Sequence, residues 1–481
     1  MKFTYFLFLF VIITGLTSLR SQEVVIRKGL VQDSIRINDS IPETFAVYLP
    51  TTYQPSGMWP VLFAVDMEGR GKQVVHMFQE VAEREGFIVA ASNDIHDSLS
   101  IVQNTLVMSR MFNRVYGLFP IHKKRTYTAG LGDGAQFATV IASLIKPVEG
   151  VISFGSGIPY KELIDPKNPF QLIGIVGRSD HHFNDLLEDS GRTNTTLKAL
   201  GKSKMVDYLL VFEGGSQWPP PTYMQRAFEI LNLRSMSEGN IARDSAYIGS
   251  IYNRNFAELN TLVEEGDYLG ASFLADEMIA KFKNLLDLEE LKRRRKFIGR
   301  EKEYQLQLRK QNRYLQKEYF IREEYEYNLN DDVLTLNYNN LGWWNYQMGE
   351  IDKYRKSSDP FEKEMGERLL GYLNALVEDN IELEKAQNPV NEEALSYLWM
   401  VKTITAPLEY ENYLNIISDS AKYEDFGTAL FYLEELLKNG FTDKAALYSL
   451  KNTALLRITP EFNEIIEKYF KDARYDLIED Q

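Results

Sequence analysis

From Glu23 to about Asn232 the chain alternates short, continuous apolar runs with stretches of helical periodicity, and this alternation limits the fold more than any other feature. Val24 to Ile26 and Phe45 to Leu49 read as early strands. Pro60 to Asp66, Phe87 to Ala91 and Arg125 to Ala129 follow, then Val151 to Phe154, Gln171 to Val176 and Tyr208 to Phe212. Helical stretches fall near Val74 to Glu85, Gln103 to Phe112 and Ala135 to Leu144. Strands that are apolar throughout need cover on both faces, so the expected fold is α/β, a mainly parallel sheet with helices on each side.

The pattern changes after Leu233. Ser235 to Ser245 is polar and reads as a linker. Beyond it strand signals nearly vanish and apolar residues recur at helical spacing, as in Phe256, Leu259, Leu262 and Val263. With 481 residues, two folded units are expected. The divisions are 1–21 as a signal segment, 22–234 as the α/β domain, 235–245 as a linker and 246–481 as an all-α domain.

The first segment places Lys2 before an apolar run from Tyr5 to Ile13, with small and polar residues after it. The run is short for a membrane span, which needs about 20 residues. It reads as a secretory signal with cleavage between Thr17 and Gln22, so a secreted or periplasmic protein is expected; the alternative is an uncleaved anchor, the one expected route to a membrane. The chain has no cysteine, which excludes disulfides, thiolate nucleophiles and thiolate metal sites. Its formal net charge of -14 argues against nucleic acid as a partner, because phosphate recognition needs a basic surface. Lys292 to Lys296 is basic, but acids soon alternate with it, as on a solvated helix.

Tyr48-Leu49-Pro50-Thr51-Thr52-Tyr53, Trp59-Pro60-Val61-Leu62, Tyr116-Gly117-Leu118-Phe119-Pro120 and Lys124 to Gly130 are landmarks in a familiar order. Over about 190 residues the first domain resembles the α/β-hydrolase superfamily, and most closely its secreted feruloyl-esterase and polyhydroxybutyrate-depolymerase-like branch. The resemblance implies a G-x-S-x-G turn whose serine stands on a strained strand-to-helix corner. Here that turn is Gly130-Leu131-Gly132-Asp133-Gly134, with Gly132 at the nucleophile's place. Glycine forms no acyl-enzyme, and it tolerates the backbone angles that strain a serine. Asp133 as a shifted nucleophile is one alternative; a helix cap that favours the dipole is the other.

The resemblance also implies a glycine-glycine-histidine loop after the last strand. The chain has Glu213-Gly214-Gly215-Ser216-Gln217-Trp218-Pro219, with Ser216 at the base's place. Neither Ser216 nor Gln217 accepts a proton near neutral pH as imidazole does. Asp180 matches the triad carboxylate and, with no histidine to orient, is expected in a turn or cap. Where the family has His-Gly after the third strand and gathers N–H groups for the oxyanion, the chain has Asp66-Met67-Glu68-Gly69. Two carboxylates there are expected to oppose an oxyanion. The expected pocket is therefore Asp66, Met67, Glu68, Leu131, Asp133, His181, Gln217 and Trp218, around the degenerate positions Gly132, Asp180 and Ser216. No cofactor and no metal are expected, although Asp180, His181 and His182 with Asp66, Glu68 and Asp133 would be the place to look for an ion.

Ala429 to Phe441, Leu447 to Leu456 and Arg457 to Phe462 resemble a closing tetratricopeptide-type unit, with weaker echoes at Leu262 to Tyr268 and Asn340 to Gly349. An irregular helical bundle is the alternative. The resemblance implies a protein or peptide partner, with Trp343, Trp344 and Trp399 as candidate anchors, although aromatics at helical spacing are more often core. The expected function is a non-catalytic binding or scaffolding role, with a small ester or carbohydrate as the pocket's ligand class. The alternative is an active carboxylic-ester hydrolase using non-standard groups.

Overall fold

The computed structural model describes residues 26–158, 170–191 and 206–470. The expected signal segment lies outside them, as do Val24 and Val25 of the expected first strand; Ile26 belongs to no strand. The strands are β1 (Val31–Arg36), β2 (Thr44–Tyr48), β3 (Trp59–Val65), β4 (Ile88–Ser92), β5 (Ile121–Leu131), β6 (Val148–Phe154), β7 (Gln171–Gly177) and β8 (Tyr208–Phe212). They form one sheet in the order β1-β2-β4-β3-β5-β6-β7-β8. β2 is antiparallel to both β1 and β4, whereas β3 is parallel to β4 and β5, and β5 to β6. Helices α1 (Gly71–Glu85), α2 (Ile101–Leu118), α3 (Asp133–Leu144), α4 (Phe183–Asp189) and α5 (Pro221–Ser237) follow strands along the chain. This is the mainly parallel, helix-covered α/β sheet expected from the sequence.

β1 has no apolar run to announce it: four of the six residues of VQDSIR are polar, and the ladder to β2 slips between Gln32 and Ile35. Helix boundaries follow local chemistry. At α2, the Ser100 hydroxyl accepts from the Gln103 amide at 3.2 Å while the Gln103 side chain accepts from the Ser100 amide at 2.9 Å, a reciprocal capping box. Its buried face then meets the sheet, where Phe112 stacks on Phe63 with centroids 3.7 Å apart.

The chain divides into two compact units. One runs to Ile173 and includes Pro220–Asp244; the other joins Gly174–Pro219 to everything from Ser245 onward. The end of β7, α4 and β8 thus group with the helical part. The expected linker begins inside α5, which continues to Ser237.

The second unit's helices are α6 (Ser245–Glu264), α7 (Tyr268–Lys281), α8 (Glu289–Ile298), α9 (Lys302–Thr335), α10 (Leu341–Arg355), α11 (Pro360–Lys385), α12 (Glu392–Thr405), α13 (Tyr410–Lys422), α14 (Phe426–Lys438), α15 (Lys444–Ser449), α16 (Ala454–Arg457) and α17 (Pro460–Tyr469). Asp267, Asp359, Asn391, Asp425 and Thr459 each cap a helix through the side chain. α6 packs on α7 and α13 on α14, but α9 has 34 residues and α11 has 26, which breaks a uniform repeat length. Gly440 follows α14 with φ 91°, whereas Gly349 lies inside α10 and ends nothing. Trp344 is fully buried and donates to Asp332 at 2.9 Å, so it is core and not an exposed anchor. Trp343 and Trp399 are partly buried against the same core. Among the described residues no helix is long and apolar enough to cross a membrane.

Candidate functional site

Strand β5 ends at Leu131, and α3 begins at Asp133, so the chain reverses on one residue. Gly132 makes that corner with φ 54° and ψ -121°, a conformation that side chains rarely adopt. Its neighbours are fixed by space. A Cβ on Gly130 would overlap the Gly134 backbone, and one on Gly134 would lie 2.8 Å from the Val65 carbonyl at the end of β3. A Cβ on Gly132 itself would meet nothing within 4 Å. The two outer glycines are therefore needed for packing, and the middle one only for its torsion angles. Asp133 is exposed in the first turn of α3, where it favours the helix dipole. It is not the cap: Gly132 holds that position with no side-chain bond.

The segment after β3 departs from the expectation of two opposing carboxylates. Arg70 Nε binds Asp66 at 2.7 Å, and its Nη1 binds Glu68 at 2.8 Å. One guanidinium thus sits between both acids and cancels one of the two charges. The segment is also tied down: the Asp97 amide donates to the Met67 carbonyl at 2.8 Å, and the Glu68 amide to Asp66 at 3.1 Å. The missed signal was Arg70 itself, four residues after Asp66.

In the second unit, the segments after β7 and β8 are laced together. The Arg178 amide donates to the Phe212 carbonyl at 2.9 Å and the Ser179 amide to the Gly214 carbonyl at 2.8 Å. This brings Asp180, His181 and Ser216 into one group. Asp180 is 2% exposed, accepts from the His182 amide at 2.9 Å and accepts from the Ser216 hydroxyl. Burial pushes its carboxyl above the usual range, and those two bonds oppose the rise. His181 Nδ1 lies 3.3 Å from Ser216 Oγ and 3.6 Å from Asp180 Oδ1. Burial, reinforced by His182 and Arg322 nearby, pushes the imidazole down to about 3, so it is neutral at physiological pH. Gln217 is exposed and turns back to accept from the Gly215 amide at 2.8 Å; Trp218 is half-buried beside it in sequence.

Behind this group lies a buried ion network that the sequence did not announce. Glu318 of α9 is fully buried and binds Arg322 at 2.6 Å and Arg368 of α11 at 2.8 Å. Both arginines reach on to the segment after β7. Arg368 donates to the Arg178 carbonyl at 2.7 Å and Arg322 to the His181 carbonyl at 2.6 Å. Gly371 of α11 packs on the His181 ring, where an added Cβ would sit 3.5 Å from Nδ1. Arg178 itself pairs with Glu213 at 2.6 Å. The carboxylate-bearing segment is thus held from behind by two long helices.

Among the described residues no group of three or more His, Asp or Glu side chains is placed to hold a metal ion. In the first unit a shallow cavity of about 630 Å³ opens beside Tyr48, His76 and Glu83, and none of the expected pocket residues lines it.

No protein-family model matches the chain, and no curated protein matches it. Among solved structures it is similar to a thermophilic esterase from the Planctomycetes species Thermogutta terrifontis, at 13% identity over 45% of this chain and 94% of that one, with a TM-score of 0.31. It is also similar to Est1E from Butyrivibrio proteoclasticus, at 9% identity over 43% of this chain and 99% of that one, with a TM-score of 0.33.

Proposed function

We propose that this chain is a catalytically degenerate α/β-hydrolase-like protein that acts by binding, not by turnover. The observation that carries the reading is Gly132 on the strand-to-helix corner. In a serine hydrolase that corner exposes the attacking hydroxyl, the histidine takes its proton and the acid orients the histidine. Here the corner has kept its shape and both flanking glycines, and has no side chain to attack with. At the base's place Ser216 still meets the acid, but through a hydroxyl that cannot hold a proton near neutral pH.

A second reading, hydrolysis with non-standard groups, is favoured by one distance: Ser216 Oγ to His181 Nδ1, 3.3 Å. Against it, the same ring nitrogen faces both Ser216 and Asp180, so the imidazole does not bridge nucleophile and acid. A group titrating near 3 is also a weak base at neutral pH.

The binding role extends to the helical part, whose paired helices, such as α13 with α14, suit a tetratricopeptide-like surface for a peptide or protein. The hydrolase-like part would take a small ester or carbohydrate. The same reading takes the N-terminal segment as a secretory signal, which would send the protein to the periplasm or exterior. The test is labelling with a serine-directed phosphonate, read by intact mass and peptide mapping. No adduct is expected at any residue. An adduct on Ser216 would replace this reading with the second.

A further inference from the structure

Helix α9 is about 50 Å long, at 1.5 Å per residue. Its inner face is settled by Glu318, Arg322, Tyr325 and Leu329, all buried. Its outer face carries an apolar stripe that nothing in the described chain explains. Phe320 is 59% exposed, Tyr327 71% and Leu334 84%, at seven-residue steps, and Leu306 lies on the same row two steps earlier at 38%. A seven-residue step drifts only about 20° around a straight helix, so the row stays on one side. Such a row, interrupted here only by Arg313, is one of the two rows that make the seam of a helix pair.

The charges beside the row are divided along the helix. Lys302, Arg309 and Arg313 are exposed in the first half; Glu323, Glu324 and Asp331 are exposed in the second. Arg309 donates to the Gln305 carbonyl of its own helix and to no carboxylate among the described residues. The pattern is also symmetric about Phe320. Leu306 and Leu334 stand equally far from it, as do Arg313 and Tyr327, and Arg309 and Asp331. We propose that this face of α9 pairs with α9 of a second copy, antiparallel, on a two-fold axis through Phe320.

A two-fold interface requires each residue to meet the partner of its own partner, and this row meets that condition. Phe320 faces Phe320. Leu306 faces Leu334, Arg313 lies over Tyr327 as a cation–π pair, and Arg309 meets Asp331. A parallel pairing would set like charges against one another along the whole row. The two-fold surface is self-complementary in both apolar and charged residues, which a general apolar patch has no reason to be.

The test is sedimentation velocity of the full chain across micromolar concentrations. A reversible dimer is expected, and Phe320→Glu is expected to leave only monomer. Arg309→Asp and Asp331→Arg should each weaken association by about tenfold or more, and the double reversal should return it to within about threefold of the parent. Because the chain has no cysteine, oxidation reads the register directly. Phe320→Cys should cross-link to itself, while Leu306→Cys should cross-link only when mixed with Leu334→Cys. All five positions are exposed, so unchanged thermal unfolding of the monomer separates lost pairing from lost folding. A monomer at every concentration, a dimer indifferent to Phe320→Glu, or self-linking of Leu306→Cys would each overturn the proposal.

Discussion

Arg368 donates from Nη1 to the carbonyl of Arg178, 2.7 Å away and 190 residues earlier in the chain. The guanidinium is held in place by Glu318, which binds Arg322 as well. A buried carboxylate between two buried arginines is sensitive to the loss of its charge. Glu318→Gln is expected to cost about 3–5 kcal/mol, because two desolvated cations would lose their counter-charge. Urea unfolding followed by circular dichroism measures it. A loss below about 1 kcal/mol would mean that the arginines hold the segment without the acid.

The same region predicts a pH dependence with two opposing parts. Burial pushes Glu364 up to about 7, against the pull of Arg178 and Arg368 and helped by Glu213 and Asp267. A carboxyl raised in the folded state keeps its proton while the unfolded chain has lost it. Stability therefore falls as pH rises from the ordinary value near 4.5 to about 7, by on the order of 3 kcal/mol. His181 is depressed to about 3, so between 3 and 6.5 the unfolded chain binds the extra proton and stability rises with pH. Glu364→Gln should thus stabilise at pH 8 more than at pH 5, and His181→Asn at pH 5 more than at pH 8. Urea midpoints at the two pH values check both signs; equal shifts at the two pH values would contradict the assignment.

The three glycines of the corner should differ in their tolerance. Gly132→Ala adds a Cβ in open space but at φ 54°, so it is expected to cost about 1–3 kcal/mol from strain alone. Gly130→Ala forces backbone against backbone and is expected to cost more, or to abolish folding. Thermal unfolding of the two variants ranks them. The reverse order would show that torsion, not packing, limits the turn.

Much of this architecture was legible in the sequence. Buried strands need apolar residues at most positions, so β3, β4, β6, β7 and β8 announce themselves as short runs. β1, an irregular and mostly polar edge, gave no such run. The corner was legible because Gly130 and Gly134 are demanded by close backbone approach, whatever happens at Gly132. The pairing of Asp66 and Glu68 through Arg70 was written nearby but lay outside any helix, where spacing is a poor guide. The clamp of Arg322 and Arg368 on the segment after β7 was not legible at all. It depends on how helices far along the chain fold back, and so does the grouping of Gly174–Pro219 with them.

On the proposed reading, adding a nucleophile and a base one at a time separates their roles. Gly132→Ser alone should leave the protein inactive, because Ser216 cannot take the serine's proton. Adding Ser216→His supplies a base that can meet Asp180, and the double variant should exceed the single one in ester turnover. Equal activity in the two would contradict the assignment of Ser216 to the base's place.

The most direct measurement is hydrolysis of short-chain acyl esters by the unmodified, repurified chain. A working triad leaves a pre-steady-state burst and a rate far above solvent, whereas a site lacking nucleophile and base leaves neither. The predicted result is no burst and a rate indistinguishable from a matched sample of Gly132→Ala. A burst proportional to the amount of this chain, with turnover that survives repurification, would contradict the reading of Gly132 as a vacated nucleophile position.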